Sequence, residues 1–440
     1  MRRPWLAGLL GLLAGLPLVR SQEPLPTLEL TALRAKEKAA PTERPESLPQ
    51  IDSRYDIPPL LVPQREPFHL RPPAIDRTTP RSDYDPARHF LPDRNPGERH
   101  PPCPCLPLGR FWLSNTYFVG KTRDEPISPL ATSGGTGVIG TKGTPALHDE
   151  DHLDHPFRSG FRLDGGAWLD HCQNWGIDAS FFLTEATRVR FDAASNGDVL
   201  LARPYTSFPS GAPNAEILAG PGVGRGSISV TSPLTFLGTD VNGRRTLFCE
   251  DHYRLDLLAG YRFIRLSERL DLYSDSTSLS GNGRYEEDHF RTLNLFNGGQ
   301  VGVTGEFRFD RVYLSGVAKI AFGMTSSRLE IDGLTRTQTG GVTTQTPGGL
   351  FTGPANRGVS TNQNFAVAPE ALLKVGYQWN DHWRTFVGYN FVYISDVART
   401  GQALDTSIGT TNNGVVHPLR RGAYTDFWMH GISVGLETRY

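Results

Sequence analysis

The chain has 440 residues, with 45 Lys and Arg against 46 Asp and Glu, and its mean hydropathy is negative. Nothing in that balance suggests nucleic acid as a partner, and no segment past the N-terminus approaches the ~18 consecutive apolar residues of a membrane helix. A helical membrane protein is thereby excluded; a β-barrel is not, because its strands turn half their residues away from lipid.

Arg2 and Arg3, followed by an apolar run from Leu6 to Val19, fit a secretory signal peptide. Val19 and Ser21 place cleavage after Ser21, so residues 1–21 are read as the signal. The run is too short for a membrane anchor and Pro17 interrupts it. Its removal takes three Arg and no acid, leaving a more acidic mature chain. Residues 22–108 then carry 19 of the 34 Pro, many charges and few sustained apolar runs. Such a segment buries too little surface to offset its ordering entropy, so a disordered or polyproline-like arm is expected. A plain spacer is its simpler reading, and a tether to a periplasmic partner the alternative. Of four Cys, Cys103 and Cys105 precede the first strand, while Cys172 and Cys249 fall in turns. An oxidising compartment would allow disulfides among them, in a pairing that spacing does not define.

From residue 109 onward the composition changes to Gly, aromatics and alternating patterns, and residues 109–440 are read as one β-barrel domain. The strands are expected at 110–119, 157–169, 175–194, 226–242, 251–276, 287–309, 311–333, 363–379, 383–397 and 426–440. Any strand within 198–217 would need a partner to keep the number even. Three connections are short: around Asp170–Asn174, at Asp310, and over Asn380–His382. Those between are long and polar, at 120–156, 195–225, 334–362 and 398–425. Alternating short and long connections match an up-and-down barrel with short periplasmic turns and long outer loops, and a soluble sandwich has no reason to sort its loops this way. Several strands exceed the ~10 residues needed to cross and should project beyond the membrane.

The alternation also sorts the faces. Phe365, Val367, Ala371, Leu373, Val375 and Tyr377 oppose Ala366, Ala368, Glu370, Lys374 and Gln378, and Leu255, Leu257 and Tyr261 oppose Arg254, Asp256 and Arg262. A Lys or Arg on the lipid face near mid-membrane costs about 2–4 kcal/mol, so the charges should point inward. The expected lumen residues are Arg254, Asp256, Arg262, Glu306, Arg308, Lys319, Glu370, Lys374, Arg384, Glu437 and Arg439, joined by Arg158, Arg162, Asp164 and Asp178. Mixed signs in a narrow space favour ion pairs across the barrel. Any conductance should then be small, with slight anion preference from the basic excess. Trp175, Tyr253, Phe307, Phe309, Tyr377, Trp379, Trp383 and Tyr440 lie at the short-turn ends, where an aromatic girdle would meet the membrane interface.

The last strand has one apolar face, Trp428, His430, Ile432, Val434, Leu436, Thr438 and Tyr440, against Phe427, Met429, Gly431, Ser433, Gly435, Glu437 and Arg439. Ending on an aromatic, it looks like the C-terminal signature that the outer-membrane assembly machinery reads. The dense run His148 to His155 contains metal-ligand types, yet its place in an outer loop favours a solvated rim, and no metal is assigned. No nucleophile motif stands out, so no catalytic residue and no cofactor are assigned. A barrel-embedded hydrolase and a secreted β-sandwich binding module remain the alternatives.

The segments Tyr253–Arg262, Phe290-Arg291-Thr292 with Asn297–Gln300, Pro347–Leu350, Ala366–Glu370, Val387-Gly388-Tyr389, and Thr425–Trp428 through Gly435-Leu436-Glu437 together resemble the putative beta-barrel porin family 7 of planctomycete outer membranes. The resemblance covers about 109–440, in matching order. It implies an outer-membrane barrel in a Gram-negative-type envelope, embedded in outer-membrane lipid. It carries over no catalytic or binding residue. The expected protein is thus a narrow porin-like channel or a structural envelope protein with a charged, partly plugged lumen.

Overall fold

The computed structural model describes residues 109–440 apart from 148–151, 412–413 and 423. The expected signal, the Pro-rich arm, Cys103, Cys105 and half of the His148–His155 run lie outside the described residues. Ten staves form a closed antiparallel ring: β1 (Phe111–Thr122), β2 (Arg158–Trp168), β3 (Trp175–Thr184, resumed as Thr187–Ser195), β4 (Gly224–Cys249), β5 (Tyr253–Ser278), β6 (Gly283–Phe309), β7 (Val312–Thr339), β8 (Gly358–Gln378), β9 (Trp383–Ala398) and β10 (Tyr424–Arg439). Each pairs with its neighbours in sequence, and β10 returns to β1 with Tyr117 opposite Val434. The sheet counts twelve strands only because β3 is broken and Val342–Pro347 hangs on β7 outside the ring. Closure removes every edge, which a sheet facing hydrocarbon requires.

The expected strands are all present, several of them longer than the alternation indicated. β4 to β7 have 26 to 28 residues, well beyond the ~10 that cross a bilayer, so roughly 50 Å of strand length extends past it. Along β5 the polarity inverts. Leu257 and Tyr261 are exposed outside while Asp256 and Arg262 are buried inside; higher up, Arg265 and Arg269 face out while Leu266, Leu270 and Leu272 are buried. The lower half of the strand meets lipid and the upper half meets water.

The long connections fold back into this wall. Leu201–Phe208 and Ala212–Ala219 pair with each other as a hairpin outside the ring, so the ring keeps its ten staves. Thr132–Ser133, Ser407–Thr410 and Val416–His417 join that hairpin in a five-stranded sheet built from three different loops. Loop residues Ile127, Leu130, Leu153, Leu218, Phe351 and Leu404 pack against wall residues Ile228, Val230, Leu270, Leu272, Phe290 and Ile331 in one buried cluster.

Candidate functional site, a filled lumen

All eleven expected lumen residues point inward, and the ring gathers them at two levels. At the upper level Glu370 of β8 is fully buried among three cations: Arg162 of β2 donates to one carboxylate oxygen, and Arg262 Nη1 and Lys319 Nζ lie 2.6 and 3.6 Å from the other. Arg262 is an ion pair out of hydrogen-bond alignment, since neither of its terminal nitrogens has a hydrogen-bond partner. Lys319 donates to Asp240 at 2.8 Å, and Arg162 donates to Asp164 at 2.7 Å, with Lys374 3.6 Å from the same carboxylate. Asn242 bridges Asp240 and Asp178 and receives Gln300 Nε2 at 2.5 Å. Seven strands, β2 to β8, converge on this layer, which no local spacing could reveal.

The lower level lies toward the short turns. Glu306 accepts from Arg308, Arg384 and Arg439 at 2.7, 3.1 and 3.0 Å, and Glu437 accepts from Arg439 at 2.5 Å. Asp256 accepts from Arg244 and Arg254, whose guanidiniums lie over the Trp168 ring at 4.9 and 3.9 Å. A cavity of about 140 Å³ separates the two levels, lined by Trp112, Arg162, Trp168, Arg254, Glu306 and Lys319 among others. Cys172 and Cys249, at this end of the ring, are both disulfide-bonded.

Sequence reasoning missed an apolar layer. Phe118, Phe182, Leu234, Phe236, Ile264, Leu266, Phe296, Val392, Ile394, Phe427 and Met429 form one buried cluster on inward positions. Phe236 stands between Phe182 and Phe427 with ring centroids 5.1 and 5.0 Å apart. Gly160 and Gly238 make room for it, because a Cβ at either would strike the Phe118 or Phe182 ring. The signal was present in Phe427 and Met429, which alternation puts on the inner face of β10. Charge thus fills one part of the lumen and aromatics another.

Beyond the apolar layer, buried ion pairs fasten the loops to the wall. Arg203 of the hairpin donates to Ser274, Glu286 and Asp288 at 3.0, 3.1 and 2.6 Å and covers the Phe351 ring. Arg399 donates to Glu268 at 2.8 Å and to the Asp124 carbonyl at 3.2 Å, while Glu125 accepts from Gly401 N at 2.5 Å. His155 is fully buried, 3.9 Å from Glu125, while Asp154 beside it stays exposed, so the last histidine of the acid-rich run leaves the solvated rim and its neighbouring acid does not. Burial, with Arg158 and Arg399 nearby, pushes its imidazole down to about 3 and keeps it neutral. Among the described residues no group of three or more metal-ligating side chains is assembled.

Glu216 makes the hairpin sensitive to pH. Burial, reinforced by the neighbouring Glu286, pushes its carboxyl up to about 7, although Arg284 and Arg203 lie 3.5 and 4.0 Å away. The folded state therefore holds this proton to higher pH than the unfolded chain. The stabilisation is complete below about 4.5 and is lost as pH rises through about 7. Hydrogen exchange across 201–219, corrected for the intrinsic rate, should accelerate from about pH 5 to about pH 8. Glu216→Gln should flatten that slope; an unchanged slope in the variant would assign it to another group.

On the outside, Trp175, Phe307, Phe309, Trp379, Trp383 and Tyr440 are exposed at the short-turn end, and Tyr253 and Tyr377 are half-buried beside them. Above them Ile177, Phe181, Val301, Phe322, Leu373, Val387 and Val434 are exposed along successive strands, the oily exterior that hydrocarbon would cover.

Among solved structures the chain is similar to the outer membrane protease OmpT of Escherichia coli, at 13% identity and TM-score 0.36, over 75% of this chain and 97% of that one. It is also similar to the toluene transporter TbuX of Ralstonia pickettii, at 10% identity and TM-score 0.15, over 76% and 90%. An anion-selective porin of Comamonas acidovorans follows at 10% identity and TM-score 0.11, over 75% and 100%. No curated protein matches. A family model described as Putative beta barrel porin-7 matches residues 126–440. The chain therefore belongs to the Putative beta barrel porin-7 family: it is an outer-membrane β-barrel protein, a narrow porin-like channel or structural envelope barrel with a charged, partly plugged lumen.

Proposed function

We propose that this barrel is closed at rest and serves the envelope as a sealed, largely structural barrel rather than as an open pore. The observation that carries the reading is the contiguous buried layer across the lumen, with Phe118, Phe236, Phe296 and Phe427 at most 3% exposed, stacked on the ionic layer around Glu370. Ten strands enclose little more than their own side chains, whereas open porins use sixteen or more. A dry apolar constriction excludes ions by dewetting, so neither the charge inside nor the porin label requires conduction. The reading assigns no catalytic residue and no cofactor.

Several roles belong to the same proposal. The chain is exported by the segment 1–21 with cleavage after Ser21, and the assembly machinery inserts its strands. The planctomycete origin that its motifs imply goes with that envelope. Residues 22–108 act as a spacer. The aromatic set from Trp175 to Tyr440 is the girdle of the short-turn interface, and the inward charges hold register across the ring.

Planar bilayers test the central claim. The mature protein should give little or no steady conductance, with or without residues 22–108, because the blocking side chains belong to the barrel itself. A large conductance from the intact protein would refute the sealed reading. A rise only on deleting 22–108 would transfer the blocking role to that segment.

A further inference from the structure

We propose that the outward face of β3 to β7, just beyond the apolar band, binds the phosphate groups of anionic lipid in the adjoining leaflet. Five exposed arginines gather there: Arg188, Arg265, Arg269, Arg291 and Arg328. Register makes them neighbours. Arg269 is opposite Arg291, Arg291 is opposite Glu330, Arg328 is opposite Leu293, and Arg188 is opposite Pro233. Arg265 is opposite both Leu237 and Leu295, so the patch begins where the lipid-facing side chains end. Strands ~4.8 Å apart bring such guanidiniums within reach of a single headgroup.

Only one carboxylate answers them at that level. Glu330 lies 3.2 Å from Arg291 and 3.4 Å from Arg328. Among the described residues Arg188, Arg265 and Arg269 have no carboxylate partner. The other side of the ring differs, since Lys121 pairs with Asp124 and Asp154, and Arg123 lies 3.8 Å from Asp426. At this height, then, three arginines on one side of the barrel lack a carboxylate among the described residues, while Lys121 and Arg123 across the ring have theirs. A planar guanidinium presents parallel donors to phosphate oxygens, and continuity with the apolar band lets one molecule place its tails on Leu237 and Leu295 and its phosphate on Arg265. A free phosphate ion would gain nothing from that continuity, so the ligand assigned is a phosphorylated lipid.

The test places the full mature chain in nanodiscs of phosphatidylcholine with a minor fraction of phosphatidylglycerol, and counts the lipids retained on mild extraction. The wild type should enrich phosphatidylglycerol about fivefold over the bulk ratio, the factor that one guanidinium supplies at an anionic surface. Arg188→Gln, Arg265→Gln and Arg269→Gln combined should return retention to the bulk ratio, and Arg265→Gln alone should lose part of it. Arg245→Gln, at the short-turn end over the Trp175 ring, should leave it unchanged. Heat-modifiable migration confirms that each variant is folded, and the single substitution decides the matter if the triple variant fails to assemble. Equal enrichment in the Arg265 and triple variants and the wild type would overturn the proposal. So would full displacement of the lipid by millimolar inorganic phosphate, which would make the site a reader of the free ion.

Discussion

Replacing Glu370 by Ala is expected to destabilise the barrel by about 3–5 kcal/mol, because it strands cations that no solvent reaches. Arg162 would retain Asp164 and Lys319 would retain Asp240, but among the described residues Arg262 has no other carboxylate within ion-pair distance. On heat-modifiable gels the folded band should disappear roughly 5–10 °C below the wild-type temperature. The partner experiment separates lost attraction from stranded charge. Glu370→Leu combined with Arg262→Met removes both members of the pair and should return stability to within about 1–2 kcal/mol of the wild type, since apolar side chains of similar volume often replace a buried pair without loss. A double variant as unstable as Glu370→Ala would mean that the layer acts through its whole network and not through one uncompensated guanidinium.

Phe236→Ala should have the largest effect on permeation. Its ring occupies the centre of the Phe182–Phe236–Phe427 row, and removing it opens a hole in the one layer that water cannot wet. With Phe296→Ala added, stepwise ion conductance should appear in bilayers where the wild type is silent, with a slight anion preference from the basic lining below. Each truncation should also cost about 3–5 kcal/mol of stability, so the recordings belong with a gel that shows the band still folded. Arg203→Ala is the control: it frees the hairpin from Ser274, Glu286 and Asp288 but leaves the apolar layer intact. If Arg203→Ala alone conducts and Phe236→Ala does not, the outer loops are the seal.

The sealing device and the lipid patch have a common origin in the inversion along the long strands. Below Phe263 the chain keeps charge inside and oil outside; above it, Ile264 and Leu266 face in and Arg265 faces out. One strand thus serves a membrane with its lower half and forms the wall of a water-surrounded plug with its upper half. The loops have to fold inward, because the inner apolar face of that upper wall would otherwise meet water.

By itself the sequence determined the ten-stave ring and its order, because a period of two with short and long connections in alternation depends only on neighbours along the chain. The direction of the charged side chains was legible for the same reason: Arg254, Glu370 and Glu437 alternate with residues that only lipid would tolerate. Which cation meets which carboxylate was not legible. Arg162 and Glu370 are 208 positions apart and meet only through the tilt and register of the closed ring. The apolar layer escaped notice because an inward Phe reads locally like any strand aromatic, and whether it faces lipid, water or another Phe depends on its height in the barrel. Tertiary structure alone decided the plug, since Leu130, Phe351 and Leu404 come from three separate loops and find one another only against the wall that β4 to β7 provide.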